Sequence, residues 1–445
     1  MHYKTKEFID WIRLRFASSK AIKNVGWLFV EKIIRMTLGF LVSTWVARYL
    51  GAEKFGLLNF AIAFVSIFSA IAILGLQGVV VKQLVNHPES KGEILGTSGA
   101  LIFISGFLAY FLCCFTIFLL NRDATDIVIL VAIVGAGLVC KFSEVGLYWF
   151  ESQIESKYIA WVQAFSFMVF SGVKIFLILR SENLVAFAWA YMLESFVTGI
   201  MVISVFRLKT KHFNYLTIKT ERAKNLIKES LPLMFASLSV ILYLRVDEIM
   251  LGQMIGYKAV GIYSAAVRIS EAMYFIPVII SISYFPIILS TKKQNDENLL
   301  CRKFQRLFDL MMIISITLSV IISLLASKII LTAYGDSFEE AIGVLRIHVW
   351  ASVFVFLGTA SAKWLITEGY QKIAFKRTFL GLLINIILNL IFIPSYGIKG
   401  AAWATLISYG VVGFISDLFQ NETNLMFKLK TRSFNLLGIY ERNFK

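Results

Sequence analysis

Long apolar stretches dominate this chain, and short polar or basic segments separate them. A helix needs about 20 mostly apolar residues to cross the hydrocarbon of a bilayer, and in lipid its backbone groups must pair within the helix. The pattern therefore predicts an all-α integral membrane protein with twelve transmembrane helices. The predicted spans cover residues 24–48, 56–81, 95–120, 126–149, 157–179, 184–206, 227–251, 259–290, 305–333, 340–366, 374–394 and 400–420.

Small and aromatic residues recur in the same order in the two halves of the chain. Positions 51, 56 and 61 (Gly, Gly, Ala) match positions 256, 261 and 266, and 188–190 (Ala-Trp-Ala) match 402–404. Chance repetition in an apolar chain is the alternative to a duplication. A duplication of six spans predicts two six-helix bundles related by a pseudo-twofold axis along the membrane normal, because an even number of spans keeps both copies in the same orientation.

The predicted organisation has four parts. They are an N-terminal six-helix bundle at residues 1–206, a basic cytoplasmic linker at 207–226, a C-terminal six-helix bundle at 227–420 and a cytoplasmic tail at 421–445. The linker is basic and mildly amphipathic, so we expect it to lie on anionic membrane lipids.

Composition supports a membrane protein, with 58% hydrophobic residues, 16% charged residues and a mean hydropathy of +0.75. The net charge of +16 raises the question of nucleic acid, but the basic residues alternate between loops. They gather before residue 24, in 207–228, in 292–306 and in 428–432, whereas the intervening loops hold few. By the positive-inside rule both termini face the cytoplasm, and no nucleic-acid partner is expected.

The sequence offers little for an enzyme. The longest loop, 207–226, is too short for a catalytic domain, and we find no metal-binding, nucleophile or nucleotide motif. The four cysteines have neither metal-ligand nor disulfide spacing. We see no cleaved signal peptide before the first span. Catalytic residues, metal ions and cofactors are therefore not expected.

Charged residues inside the apolar stretches are the best functional signal, because an ionisable group in lipid is costly unless it faces a cavity or a partner. Four cations lie on polar stripes of the predicted helices: Arg35, Lys174, Arg245 and Arg268. Cations that line one cavity would favour an anionic substrate, since Arg and Lys bind diphosphate well. The alternatives are a structural ion pair between Glu31 and Arg35, and snorkelling of Arg245 to the membrane surface.

The acidic residues of the spans are candidates for ion coupling or gating, with a proton or a sodium ion as the coupling ion. They are Glu31, Glu194, Asp247 and Glu271, and Asp417 is a further candidate. Asn385 and Asn389 lie four residues apart in the eleventh span, where they serve either as cavity lining or as contacts between helices.

Several local patterns resemble one known family. They are NVGWLFVEKIIR at residues 24–35, ARYLG at 47–51, FG at 55–56, DEIMLG at 247–252 and VGIYSAA at 260–266. With them the whole chain resembles the O-antigen flippases (the Wzx type) of the polysaccharide transporter group, within the multidrug/oligosaccharidyl-lipid/polysaccharide exporter superfamily.

The resemblance implies a V-shaped pair of bundles that works by alternating access in the bacterial inner membrane. The implied substrate is an undecaprenyl-diphosphate-linked oligosaccharide for lipopolysaccharide biosynthesis, moved from the cytoplasmic to the periplasmic leaflet and attracted by basic residues of a central cavity. A polysaccharide polymerase and a chain-length regulator are implied as partners. Two alternatives stay open, a multidrug exporter of the same superfamily and a membrane polysaccharide polymerase.

Overall fold

The chain is helical wherever its structure is described. A computed structural model describes residues 2–122, 124–210, 217–294, 296–435 and 438, and gives the backbone alone for residues 2–25, 28, 286, 293, 366 and 371. Parts of the predicted linker and tail, 211–216, 436–437 and 439–445, lie outside these ranges. No β-strand occurs within them, which confirms the all-α prediction.

Fifteen α-helices make up the described chain. They are α1 (His2–Ile73), α2 (Leu76–Asn86), α3 (Lys91–Leu120), α4 (Thr125–Gly135), α5 (Glu144–Ser152), α6 (Lys157–Leu179), α7 (Leu184–Lys209), α8 (Thr220–Met254), α9 (Tyr257–Glu271), α10 (Phe275–Lys293), α11 (Glu297–Tyr334), α12 (Ala341–His348), α13 (Ala351–Thr367), α14 (Gln371–Gly413) and α15 (Asn424–Phe434). Within the described ranges, nine helical segments are long and apolar enough to cross a membrane. The chain is thus a multi-pass membrane protein.

Two of these long helices contain a glycine that leaves the helical conformation. Gly51 in α1 has φ 72° and ψ 170°, and Gly397 in α14 has φ 58° and ψ −136°. A positive φ is open to glycine because it has no Cβ. Both glycines stand where the sequence predicts a loop between two spans.

The eighth predicted span contains a helical irregularity. A 3-10 turn at Ala272–Tyr274 separates α9 from α10. Pro277 explains its place, because proline has no N–H for the carbonyl of Met273 and its ring crowds that carbonyl. The α-helical pattern is therefore broken just before this proline.

Contacts along the chain divide it into two compact units. Unit 1 contains Met1–Val46 and Phe64–Leu238, and unit 2 contains Ala47–Ala63 and Ser239–Lys445. Helix α1 contributes to both units, and so does α8.

A close backbone approach within unit 2 joins α1 to α9. A Cβ atom built at Gly56 would lie 1.7 Å from the carbonyl oxygen of Tyr257, and one at Gly261 would lie 1.9 Å from that of Ala52. Gly56 and Gly261 are matched positions of the sequence repeat. A side chain at either position would clash with the facing backbone, so these two glycines allow the contact that holds residues 47–63 in unit 2.

The described end of the linker is fixed to unit 1. Glu93 of α3 pairs with Arg222 at 2.5 Å and with Lys219 at 2.7 Å. The backbone follows the same path, because a Cβ at Gly96 would lie 2.5 Å from the carbonyl oxygen of Thr217. Residues 217–222 therefore pack on α3 rather than extending freely from it.

Candidate functional site

In unit 1, the first predicted cation is paired with its neighbour on the same helix. Arg35 Nη2 lies 2.6 Å from Glu31 Oε1, and the Arg35 side chain remains 39% exposed. Its guanidinium also lies over the ring of Phe167 on α6, 5.8 Å from the centroid. Arg35 Nε is buried and has no hydrogen-bond partner among the described residues, so the exposed part of the side chain is the rest of the guanidinium.

A second charged pair in unit 1 links two helices. Lys174 of α6 donates to Glu194 of α7 at 2.7 Å. The ammonium also lies 3.9 Å from the ring centroid of Tyr191, and Lys174 is buried. The sequence singles out both residues but does not indicate that they pair, because they lie twenty positions apart on different helices.

Unit 2 holds a larger polar cluster, in which Glu248 joins α8 to α9. Glu248 accepts a hydrogen bond from Ser264 at 3.1 Å and lies 3.5 Å from the guanidinium of Arg245. The Arg245 side chain remains 37% exposed. Glu248 is thus held by two groups, while Arg245 stays accessible on one side.

Arg268 of α9 reaches the part of α1 that belongs to unit 2. It donates to Asn59 Oδ1 at 2.5 Å and lies over the ring of Phe55, 5.4 Å from the centroid. Glu271, one turn further along α9, has Arg245 and Arg268 as attractive charged neighbours, with Glu248 and Asp247 as repulsive ones. The structure therefore brings four of the eight predicted site residues, Arg245, Asp247, Arg268 and Glu271, into one cluster.

Asp247 lies at the most enclosed part of this cluster. Its Oδ1 accepts from Asn389 Nδ2 at 2.5 Å. Its Oδ2 accepts from Tyr263 at 2.8 Å and also from the hydroxyl of Thr405. Asn389 donates further to Asn385 at 3.0 Å. Asn389 Oδ1 has no hydrogen-bond partner in the described part of the chain, so this buried site has a free oxygen.

The sequence did not single out Tyr263 or Thr405 as partners of Asp247. Thr405 is one hydroxyl in an apolar span, and nothing in its local pattern marks it. Tyr263 lies within the pattern at 260–266, which points to the family but not to a role for the tyrosine. Asp417 was a coupling candidate, and the structure pairs it with Arg377 and Lys430, each at 2.5 Å.

Two protein families match parts of this chain. Residues 21–292, more than half of the chain, match the family described as polysaccharide biosynthesis protein. The chain belongs to the polysaccharide biosynthesis protein family. Residues 232–391 also match the MatE family.

Known proteins that are similar to this chain agree with that family assignment. The probable flippase AglR of Haloferax volcanii is 26% identical over 394 residues, which are 85% of this chain and 79% of that protein. The solved structure of the lipid II flippase MurJ, inward closed, superposes with a TM-score of 0.71 at 18% identity, covering 94% of this chain and 93% of that one.

A multidrug resistance MATE family transporter of the MOP superfamily, inward-facing, gives a TM-score of 0.67 at 16% identity, covering 91% of this chain and 99% of that one. At such identities the solved structures show a shared fold and nothing finer. The resemblance noted in the sequence is confirmed at the level of the polysaccharide flippases and their superfamily. These relatives are flippases and transporters, which confirms the expectation that the chain is not an enzyme.

Proposed function

We propose that this protein moves a saccharide linked to a lipid diphosphate from the cytoplasmic to the periplasmic leaflet by alternating access. An O-antigen or related repeat unit on undecaprenyl diphosphate is the specific form that we propose, in the bacterial inner membrane. The observation that carries the proposal is the exposure of Arg35 and Arg245, which keep 39% and 37% of their side chains open. An exposed charge in a membrane helix needs water rather than lipid, so each unit presents a cationic, hydrated face.

Arginine suits a diphosphate because its planar guanidinium donates paired, charge-assisted hydrogen bonds to phosphate oxygens. Glu31 and Glu248 balance Arg35 and Arg245 when no substrate is present. A diphosphate competes with these carboxylates for the guanidinium groups and is released when they re-form their pairs. We assign Lys174 to the cationic face of unit 1 and Arg268 to that of unit 2, with Glu31, Glu194 and Glu271 as gating groups.

The proposed topology has twelve transmembrane helices in two six-helix bundles, with both termini in the cytoplasm. Nine apolar segments of the described chain are long enough to span a membrane. Two of them divide into two spans each, at Gly51 and at Gly397. With α8 as one further span, these segments support the number twelve. The alternation of basic loops supports the orientation. The proposed domains keep the boundaries predicted from the sequence, with the linker and the tail on the cytoplasmic side.

Loss of this protein should leave lipid-linked saccharide trapped on the cytoplasmic side, with no polymer at the surface. The test is to delete the gene in its own host, then compare surface polysaccharide and the leaflet position of the lipid-linked saccharide with and without a plasmid copy. Drug resistance on overexpression with unchanged surface polysaccharide would favour the exporter alternative, for which the MatE match at residues 232–391 is the supporting observation. Chain extension by purified protein would favour a polymerase.

We further propose that Asp247 couples transport to a sodium or proton gradient. Its carboxylate accepts hydrogen bonds from the amide nitrogen of Asn389 and the hydroxyl of Thr405. Asn389 also donates to Asn385 Oδ1, and Asn389 Oδ1 has no hydrogen-bond partner in the described residues. A carboxylate and an unpartnered amide oxygen are ligands that hard cations prefer, and a carboxylate can also bind a proton. Because Asp247 is buried, a bound cation would neutralise a charge that is otherwise costly to hold in the membrane.

Asp247→Asn should preserve the shape of this site and remove its charge. We expect transport into the periplasmic leaflet to fall at least about tenfold, since one lost charge-assisted interaction of about 1.5–3 kcal/mol has that effect. We also expect the remaining transport to be insensitive to dissipation of the ion gradients. The matched control is Asp336→Asn, an exposed aspartate of unit 2. Transport by Asp247→Asn that keeps the wild-type dependence on both gradients would contradict the assignment.

A further inference from the structure

The short helix α15 is attached to unit 2 by a buried lysine. Lys430 is fully buried, and its Nζ donates to Asp417 Oδ2 and to the carbonyl oxygen of Gly413, each at 2.5 Å. Gly413 is the last residue of α14, where helix carbonyls lack partners within the helix and attract cations. The ammonium group therefore caps the end of α14 from a separate helix.

A second buried polar group connects α15 with α11. Gln305 Nε2 donates to Ser433 Oγ at 2.8 Å and to the carbonyl oxygen of Leu429 at 3.1 Å. Ser433 in turn donates to Asp309 at 2.6 Å. Met426 and Leu429 supply the buried apolar side chains of α15. Through these two groups, α15 bridges α11 and the end of α14.

The lysine site contains more positive than negative charge. Arg377, near the start of α14, is also buried and lies 2.5 Å from Asp417 Oδ1. It is close enough to Lys430 to repel it. Two cations thus share one carboxylate. Departure of Lys430 leaves a balanced Arg377–Asp417 pair, whereas loss of the Asp417 charge leaves two unbalanced buried cations.

The construction of α15 favours reversible attachment. At 11 residues it is too short to be a stable helix alone. It follows two 3-10 segments, Ile415–Phe419 and Asn421–Thr423, and Phe419 in the first is 77% exposed. Polar groups that leave a buried contact regain hydrogen bonds to water, and this offsets part of the cost of opening α15.

We propose that α15 is a latch closed by Lys430, and that the latch must open during transport. Helix α14 carries Asn385, Asn389 and Thr405, which surround Asp247. A latch that holds α14 against α11 therefore restrains the helix that carries the partners of Asp247. The transport part of this inference rests on the proposed function, whereas the attachment of α15 by Lys430 does not.

The native Cys301 on α11 reports on the latch, because Arg432 of α15 lies within electrostatic range of its thiol. In a background with Cys113, Cys114 and Cys140 changed to serine, we expect Lys430→Met to increase maleimide labelling of Cys301 in membranes at least about tenfold, a factor that corresponds to about 1.4 kcal/mol. Lys428→Met, on the exposed face of α15, is the matched control and should leave the rate unchanged. Equal rates for Lys430→Met and wild type would overturn the latch.

The charge imbalance gives an independent check. Lys430→Met should yield nearly as much folded protein as wild type, whereas Asp417→Asn should yield much less, as judged by size-exclusion chromatography in detergent. The same yield for both variants would contradict the assignment of Arg377 as the remaining partner of Asp417.

Closing the latch permanently tests its part in transport. With Arg432→Cys in the same background, a bifunctional thiol reagent that joins residues 301 and 432 and carries a reducible bond should stop transport, and cleavage of that bond should restore it. Unimpaired transport by the joined protein would show that the latch need not open. If wild type itself moves no lipid-linked saccharide, the proposed function fails, and Cys301 labelling still decides whether Lys430 holds α15.

Discussion

Gly56→Ala and Gly261→Ala should each destabilise the protein by about 3 kcal/mol or more, the upper range for forced overpacking. One methyl group at either position falls within 2 Å of a backbone carbonyl oxygen. A backbone atom cannot rotate away as a side chain can, so the helices must separate. The lowered stability is measured as a reduced melting temperature in detergent and a loss of the monodisperse chromatographic peak.

Gly172→Ala is the matched control for this prediction. Gly172 lies within the apolar helix α6, and no described atom lies within 4 Å of the place where its Cβ would stand. Alanine is favoured over glycine in a helix by about 1 kcal/mol, so this variant should be as stable as wild type or slightly more stable. Equal melting temperatures for all three variants would mean that the α1–α9 approach does not limit stability.

Arg35→Ala and Arg268→Ala should each lower delivery of lipid-linked saccharide to the outer leaflet at least about tenfold, because each removes a charge-assisted hydrogen bond of about 1.5–3 kcal/mol to the diphosphate. Arg268→Lys should retain part of the activity, since it keeps the charge but not the planar pair of donors. Surface polysaccharide in a deletion strain, normalised to the amount of membrane-inserted protein, is the measurement.

Lys258→Ala is the control for the arginine variants. Lys258 is a cation of unit 2 whose side chain is 63% exposed and faces Glu340 at 3.8 Å. An exposed pair of this kind contributes little, so its loss should leave transport unchanged. Wild-type delivery by both Arg35→Ala and Arg268→Ala would remove these residues from the proposed mechanism.

The helices and the local ion pairs were accessible from the sequence because both depend on short-range spacing. Twenty apolar residues in lipid leave the backbone no alternative to a helix. Residues three or four apart share a helix face, and Arg35 with Glu31 and Arg245 with Glu248 pair accordingly.

Partners brought together by packing were not accessible in this way. Lys174 meets Glu194, and Asp247 meets Asn389, only because separate helices pack side by side. Lys430 was counted among the basic residues of the predicted cytoplasmic tail, yet the structure buries it. A signal existed there, since Met426, Leu429, Lys430 and Ser433 recur at helical spacing and all four are buried.

The close contacts between α1 and α9 are reciprocal. Gly56 meets Tyr257 and Gly261 meets Ala52, and the two pairs are exchanged by one shift of 205 positions. Each copy of the repeat thus offers the other the same two positions. That is the defining property of an isologous interface, which forms between identical subunits around a twofold axis. The α1–α9 crossing thus has, within one polypeptide, the form of a contact between two identical subunits.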